Sequence, residues 1–150
     1  MEAVSVWVRL VNFIADILFV RLALLRLAVY PILRQTFPSL ATLSRDSLLW
    51  LSYLINAVVI FIYYFVAEST TSMTVGKLLT QTIVVNEYGE RPTTRTILFR
   101  TLWRLVPFEP FSWGRNAGWH DRQTDTTVVS RRQWLESQEQ QDEEQLETQE

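Results

Sequence analysis

The sequence predicts a mainly α membrane protein with two transmembrane helices, a third amphipathic or interfacial helix, a short β-hairpin element and a disordered acidic C-terminal tail. Three observations predict this fold class. Residues 48–66 contain no charge, residues 4–33 form a second long apolar stretch, and residues 135–150 carry seven acidic and no basic side chains. Because the tail dominates the net charge of −2, residues 1–134 carry a surplus of five positive charges.

Segment 48–66 has the length and composition of a membrane-spanning helix. About 20 apolar residues cross a hydrocarbon core of about 30 Å, and only Ser52 and Asn56 in this segment are clearly polar. A helix of this length in a soluble domain normally keeps a polar face, which this segment lacks. Tyr63 near one end suits the headgroup level of a bilayer.

We predict the other spanning helix over residues 8–30, although it contains four charged residues: Arg9, Asp16, Arg21 and Arg26. At 100° per residue, Arg9, Asn12 and Asp16 share one face of a helix. The two later arginines lie off that face, and the pattern does not explain Arg21. The first eight residues hold no Lys or Arg and no small-residue cleavage site follows, so we do not expect a cleaved signal peptide.

The distribution of basic residues predicts the orientation in the membrane. Connector 31–47 contains two arginines, whereas segment 67–134 contains nine basic residues. The positive-inside rule places the richer segment in the cytoplasm. We therefore expect a multi-pass protein of the inner (plasma) membrane with both termini cytoplasmic.

Segment 67–130 is expected to form a cytosolic element on the bilayer surface. Residues 82–86 and 126–130 favour β-strands, and residues 111–125 are typical of a loop. Residues 95–106 favour a helix that begins after Thr93 or Thr94 as N-cap. Such a basic, aromatic helix lies either in the interface plane or against the ends of the two spans, and the sequence leaves both readings open.

The tail, residues 131–150, is rich in Glu and Gln and carries few apolar side chains. Such a segment buries too little apolar surface to order itself, so we expect disorder. It serves either as a solubilising tail or as a segment that folds back on the basic body or binds a partner.

With these residues laid out, the chain resembles the RDD family of small membrane proteins over residues 8–130. Arg9 and Asp16 in VRLVNFIADIL match the first two signature positions, and Asp121 in GWHDRQTDTTVV matches the third. The intervening residues agree in order and spacing, and those that support the resemblance are Glu68, the Thr74-x-Gly76-Lys77 run, Arg100, Arg104 and His120. Asn12 lies between Arg9 and Asp16, can bridge them, and is a further candidate site residue.

The resemblance implies an integral membrane protein, and ligand or ion transport is a common suggestion for the family. Many relatives have a third hydrophobic span before the His-Asp run. Here residues 105–113 are short and contain Glu109 and two prolines, so the two-span topology departs from that pattern.

Asp16 is costly within a membrane, by about 2.5–3.5 kcal/mol on insertion scales. It therefore takes up a proton or finds a partner on another element, for which Asn56, Arg100, Arg104 or a second protomer are candidates. One hypothesis is an Arg9-Asn12-Asp16 site for protons or ions. The other is a polar clasp that locks the helices together through hydrogen bonds.

His120 and Asp121 lack the nucleophile or metal set that a catalytic site needs, so we predict no enzyme. We expect Asp121 to accept backbone N–H bonds or to pair with Arg104, Arg115 or Arg122. The chain has one His and no Cys, which excludes disulfides and the usual zinc sites. Gly76-Lys77 lacks the preceding glycine of a P-loop, and we predict neither a metal nor another cofactor.

The functional prediction is a structural or adaptor subunit of a membrane complex, and the alternative is a transporter or proton-handling component. The expected partners are anionic headgroups of the bilayer, and either further copies of this chain or another membrane protein. Nucleic acid is not expected, because beside two spans the anionic lipid surface is the nearer polyanion.

Overall fold

A computed structural model of the chain describes residues 2–105 and 119–147. A helical segment opens it in three sections: α1 (Val6–Phe19), a π-helical section (Val20–Val29) and α2 (Tyr30–Thr36). The Ser5 hydroxyl caps α1 by accepting the N–H of Val8 at 3.4 Å. A short 3₁₀ turn (Pro38–Thr42) leads to the next helix.

Helix α3 (Arg45–Thr71) contains the predicted span 48–66 and continues beyond it. Its 27 residues extend about 40 Å at 1.5 Å per residue, and its most apolar window has a mean hydropathy of 2.0. Ser44 caps its start, and Ser72 ends it in the left-handed conformation with φ 56°. Of the helices that the structure describes, α3 alone is long and apolar enough to cross a membrane.

The two-span topology predicted from the sequence is not confirmed. Residues 8–30 are helical, but they are divided between α1 and the π-helical section rather than forming one apolar α-helix. They also carry four charged side chains, which lowers their mean hydropathy. Length and composition therefore identify one candidate span, and that span is α3.

The predicted strands form a two-stranded antiparallel sheet, which confirms their pairing. β1 (Thr82–Asn86) pairs with β2 (Thr126–Ser130), with Val84 opposite Val128 at the centre. The strands are not joined by a short turn, because α5 (Thr94–Arg104) and α6 (Trp119–Arg122) lie between them in the chain. The N-terminus joins the sheet through the N–H of Val4, which donates to the carbonyl of Val128 at 2.9 Å.

Helix α5 confirms the predicted helix and its N-cap, since the Thr93 hydroxyl accepts the N–H of Thr96 at 3.2 Å. It packs against α3 and α6. Its buried face consists of Ile97, Arg100 and Thr101, whereas large apolar side chains such as Phe99 face outward. The region predicted as a loop, 111–125, contains the short helix α6, and its residues 111–118 lie outside the described part.

The tail was predicted to be disordered, and the structure differs. Residues Arg131–Glu147 form helix α7 directly after β2, whereas residues 148–150 lie outside the described part. Glu and Gln are good helix formers, and Trp134 anchors the first turn of α7 to the rest of the protein. Its ring packs on a small core formed by Met73, Ile83, Val85 and Val129, and its N–H donates to the carbonyl of Gly89 at 2.8 Å.

Candidate functional site

The three signature residues of the predicted site are buried in one polar layer. Arg9, Asp16 and Asp121 are 8%, 2% and 1% exposed. Helix α4 (Val75–Leu79) packs against α1 in this layer, and the C-terminal turn of α3 contributes Glu68. The other supporting residues of the layer whose side-chain placement the structure describes are Asn12, Gly76, Lys77, Arg100 and Arg104.

Asp16 accepts three hydrogen bonds from neutral donors. The Tyr63 hydroxyl and the Gly76 N–H donate to its Oδ1 at 2.7 and 2.8 Å. The Thr74 hydroxyl donates to its Oδ2 at 2.7 Å. This arrangement, which we call the Asp16 clasp, joins α1 to α3 and α4.

The partners predicted for Asp16 within the chain were wrong. Asn56 lies farther along α3 and donates to the Tyr30 hydroxyl at 3.0 Å. Arg100 and Arg104 pair with other carboxylates. The reason is that α4 covers Asp16 with its own N-terminal backbone and with the Thr74 hydroxyl, so neither of the two predicted arginines pairs with it.

The absence of a side chain at Gly76 makes this covering possible. A Cβ there would lie 2.2 Å from the backbone oxygen of Asn12, well inside van der Waals contact. The close approach also lets Asn12 bond the polar residues after α4. Its Oδ1 accepts from Thr80 at 2.5 Å, and its Nδ2 donates to Thr82 at 3.1 Å.

Glu68 is stabilised by three cations. Its Oε1 accepts from Arg104 at 2.8 Å and also binds the Lys77 amine, and its Oε2 accepts from the Nε of Arg100 at 3.2 Å. Arg104 further stacks over the Tyr64 ring at 4.2 Å. Burial lowers the pKa of Lys77 from 10.5 to about 8, against the opposing effect of Glu68.

Asp121 pairs with Arg9 and Arg100, one arginine to each carboxylate oxygen. Of the predicted arginine partners, Arg104 forms its ion pair with Glu68 and also interacts electrostatically with Asp121, Arg122 is exposed, and Arg115 lies outside the described residues. Arg100 pairs with Asp121 because it points inward from α5, where it also meets the Thr126 hydroxyl.

Together these ions form a continuous chain that crosses the layer, which we call the ion chain. It runs from Arg9 through Asp121 and Arg100 to Glu68, where Lys77 and Arg104 end it. Four cations meet two carboxylates. Buried ion pairs cost desolvation and need several partners each, and the linked arrangement supplies them.

Sequence reasoning missed the neutral donors of the layer. Tyr63 was expected at the headgroup level as a belt residue, yet its hydroxyl donates to Asp16 and accepts the N–H of Val75 at 3.0 Å. Thr74 stands in the Thr-x-Gly-Lys run of the family resemblance, and that run was the available signal for it. The side chain of His120 lies outside what the structure describes, although its backbone belongs to α6.

Beside the layer lies a cavity of about 260 Å³ between α1, the π-helical section and α3. Its lining includes the charged Arg9, Arg100 and Arg104 and the apolar Phe13 and Ile60. In the described part of the chain, no group of three or more His, Asp or Glu side chains is arranged to hold a metal ion. The contacts described above for the layer are hydrogen bonds and ion pairs.

Comparison with protein families shows that the model described as the RDD family matches residues 3–130. The match spans all the elements of the polar layer and stops at β2. Comparison with curated proteins finds no match, and comparison with solved structures finds none either.

Proposed function

The chain belongs to the RDD family, a membrane-associated family, and from this premise we propose that it is a small integral inner-membrane protein acting as a structural or adaptor subunit of a membrane complex. The Asp16 clasp carries this proposal. Both carboxylate oxygens of Asp16 are bonded by donors from the same chain, as expected for a group that holds helices together. The proposed role involves no enzymatic reaction.

The proposed topology has two spans, α3 and the helical segment of residues 6–36. Outward-facing apolar side chains recur at helical spacing, among them Val11 and Leu18 on α1 and Leu22 on the π-helical section, each 53% exposed. The charged Arg9 and Asp16 point instead into the polar layer. Within α1 the apolar groups are thus exposed and the two charged groups are buried, which suits lipid surroundings.

Both termini are proposed to be cytoplasmic. The Val4 N–H bonds to β2, and α7 begins at the end of β2, so the two ends of the chain emerge from the same small sheet. The nine basic residues of segment 67–134 favour the cytoplasmic side for that sheet.

Helix α5 supports contact with anionic headgroups. Its outward face combines the exposed Arg95 with Phe99, Leu102 and Trp103, a composition typical of helices that lie at the membrane interface. Its inward face packs on the end of α3 through the ion chain. Both predicted placements of this helix are thus compatible, and nucleic acid is not a proposed partner.

The proposed protein partner, a second copy or another membrane protein, would meet the outward face of α3. An exposed row one helical turn apart follows this face, consisting of Trp50, Leu54, Val58, Ile62 and Val66. This row contacts either acyl chains or a neighbouring helix.

Asp16→Asn and Asp16→Leu test the adaptor role. Asn keeps one oxygen for Tyr63 and Gly76, and the Thr74 hydroxyl can turn to accept from the new amide. Leu removes all three bonds and leaves their donors buried without acceptors. We expect crosslinking and purification in mild detergent to recover the partner with wild type and Asp16→Asn, and to lose it with Asp16→Leu.

A lone monomer with no co-purifying protein, from wild type, would contradict the adaptor role. The second candidate function is a transporter or proton-handling component using Arg9, Asn12 and Asp16. The cavity beside these residues favours it, and transport would require an oligomer because two helices enclose no pore. Asp16→Asn that assembles normally yet abolishes function would favour this candidate.

A further inference from the structure

The lining of the cavity between α1, the π-helical section and α3 contains two chemically different groups of side chains, which we call its walls. The cationic wall consists of Arg9, Arg21, Lys77, Arg100 and Arg104, and the carboxylates of Asp16 and Asp121 also line the cavity. The apolar wall consists of Phe13, Ile17, Val20 and Ile60. Such a division suits a ligand that carries a negative charge at one end and an apolar group at the other.

The cationic wall holds guanidinium donors that the ion chain does not use. Within residues 2–105 and 119–147, the Nε of Arg9, the Nη2 of Arg100 and the Nη1 of Arg104 are buried and have no hydrogen-bond partner. Arg9 is 8% exposed and Arg100 is fully buried. Buried charged N–H groups need acceptors, and these three belong to side chains that line the same cavity.

The charge balance around the cavity is also positive. Five cations line it, and the three buried carboxylates of the layer are Asp16, Glu68 and Asp121. Arg21 is exposed, so the four cations that are largely buried, Arg9, Lys77, Arg100 and Arg104, leave one positive charge over the three carboxylates. An isolated buried charge is unfavourable unless paired, so the surplus favours an anion.

We propose that this cavity binds a phosphate-bearing anion, with its phosphate oxygens accepting from the guanidinium groups of the cationic wall. Planar guanidinium groups present N–H donors that match phosphate oxygens. Such a group comes either from an anionic phospholipid headgroup or from free phosphate. The inference goes beyond the adaptor role, and its test needs no partner protein.

The apolar wall points to the headgroup as the source. Ile60 lies eight residues before Glu68 on α3, about 12 Å along the helix axis. The cavity thus extends from the charged layer along the part of α3 that is apolar enough to span a membrane. A glycerol or acyl segment would lie along this wall while the phosphate meets the arginines.

The proposed site also explains the presence of Arg21. The sequence pattern did not explain an arginine in the middle of the first apolar stretch, and the structure places it at the cavity lining while leaving it exposed. Arg26, five residues later, is equally exposed and does not line this cavity. The two arginines form a matched pair for mutation, since neither belongs to the clasp or the ion chain.

The experiment uses the full chain, stripped of lipid in a neutral detergent. Native mass spectrometry measures retention of phosphatidylglycerol against phosphatidylcholine, and thermal unfolding measures the effect of inorganic phosphate. Ile17→Trp fills the cavity, and Leu18→Trp adds the same ring on the outward face. Arg21→Gln removes a cation from the cavity, and Arg26→Gln removes one elsewhere on the same segment.

We expect wild type to retain one phosphatidylglycerol and no phosphatidylcholine. Ile17→Trp and Arg21→Gln should weaken that retention at least tenfold, whereas Leu18→Trp and Arg26→Gln should leave it unchanged. If phosphate raises the unfolding temperature of wild type and phosphatidylglycerol is not retained, free phosphate is the source.

Two results would overturn the proposal. One is that wild type responds to neither probe. The other is that the cavity variants behave like their controls. If Ile17→Trp fails to fold, as judged by size-exclusion chromatography and thermal unfolding, the comparison of Arg21→Gln with Arg26→Gln decides alone.

Discussion

The Asp16 clasp and the ion chain stabilise buried carboxylates of one layer in different ways. Asp16 is surrounded by two hydroxyls and one backbone N–H, whereas Glu68 is surrounded by three cations. The neutral donors around Asp16 can adapt to a substitution such as Asp16→Asn, because a hydroxyl that donates to the carboxylate can rotate and accept a hydrogen bond from an amide. Removing an ion from a buried pair leaves an uncompensated charge, so the ion chain should be the less tolerant region.

The largest expected effect is that of Arg100→Met, which breaks the ion chain at its middle. Arg100 bridges Glu68 and Asp121 and is fully buried. Removing one partner of a buried ion pair destabilises by about 3–5 kcal/mol. We expect a loss of this size in the free energy of unfolding, measured by denaturant titration in detergent.

Arg95→Met is the matched control, since Arg95 is exposed on the same helix and should change stability little. An equal loss of stability in both variants would show that the loss comes from a general disturbance of helix α5 and not from the broken ion chain.

The next effect is that of Gly76→Ala, which disturbs the clasp without touching a polar side chain. The added methyl group would meet the Asn12 backbone at 2.2 Å, so α4 must move away from α1 and the Gly76 N–H must leave Asp16. Overpacking of this kind costs about 1–3 kcal/mol. Thermal unfolding checks it, with the exposed Leu78→Ala on the same short helix as control.

If Gly76→Ala were as stable as wild type, the close contact between α1 and α4 would not be needed for the fold. The hydrogen bonds of the Asp16 clasp would then not depend on the close approach of α4 to α1.

A smaller effect is expected for Thr74→Val, which removes one donor from the clasp. The Thr74 hydroxyl donates to Asp16 at 2.7 Å and accepts the Lys77 N–H as the N-cap of α4. Losing both contributions should cost about 1–2 kcal/mol. Thr74→Ser keeps the hydroxyl and should restore most of the stability, and a serine variant as unstable as the valine variant would contradict the hydrogen-bond explanation.

A further prediction concerns the pH dependence of stability that Lys77 contributes. Burial lowers the pKa of its amine to about 8, below the ordinary value of 10.5, so between these pH values the unfolded chain binds more protons than the folded protein. The free energy of unfolding therefore rises with pH across this window. Glu68 keeps two arginine partners when the amine becomes neutral.

Comparing wild type with Lys77→Met isolates this contribution. We expect the wild-type stability to rise more steeply between pH 8 and 10.5 than that of the variant. Equal slopes would show that Lys77 keeps its proton in the folded protein.

Local sequence features predicted much of the framework. The uncharged run 48–66 lies within α3, the two β-branched segments pair as strands, and Thr93 caps α5. Each of these depends on neighbouring residues, because period, propensity and capping are local properties. The prediction of a disordered tail was wrong because it considered local properties only. Trp134 anchors helix α7 through contacts with residues that lie far away in the sequence.

The sequence indicated which residues belong to the candidate site, but not which of them bond to one another. The signature residues Arg9, Asp16 and Asp121 do meet in one buried layer. Which carboxylate receives which donor depends on α4 folding under α1, and no spacing within α1 encodes that approach. Tyr63 is a second example. Its residue type and position near the end of the span predicted a place at the headgroup level, but they did not predict that its hydroxyl donates to Asp16.

By itself, the sequence determined that an uncharged helix long enough to cross a bilayer stands beside a basic, polar segment, because hydropathy and charge are carried by the residues themselves. Only the tertiary structure decided that Asp16 bonds neutral donors while Arg100 joins Glu68 to Asp121. Hydrogen bonds and ion pairs act over a few ångströms, so they are set by which elements come together in space and not by distance along the chain.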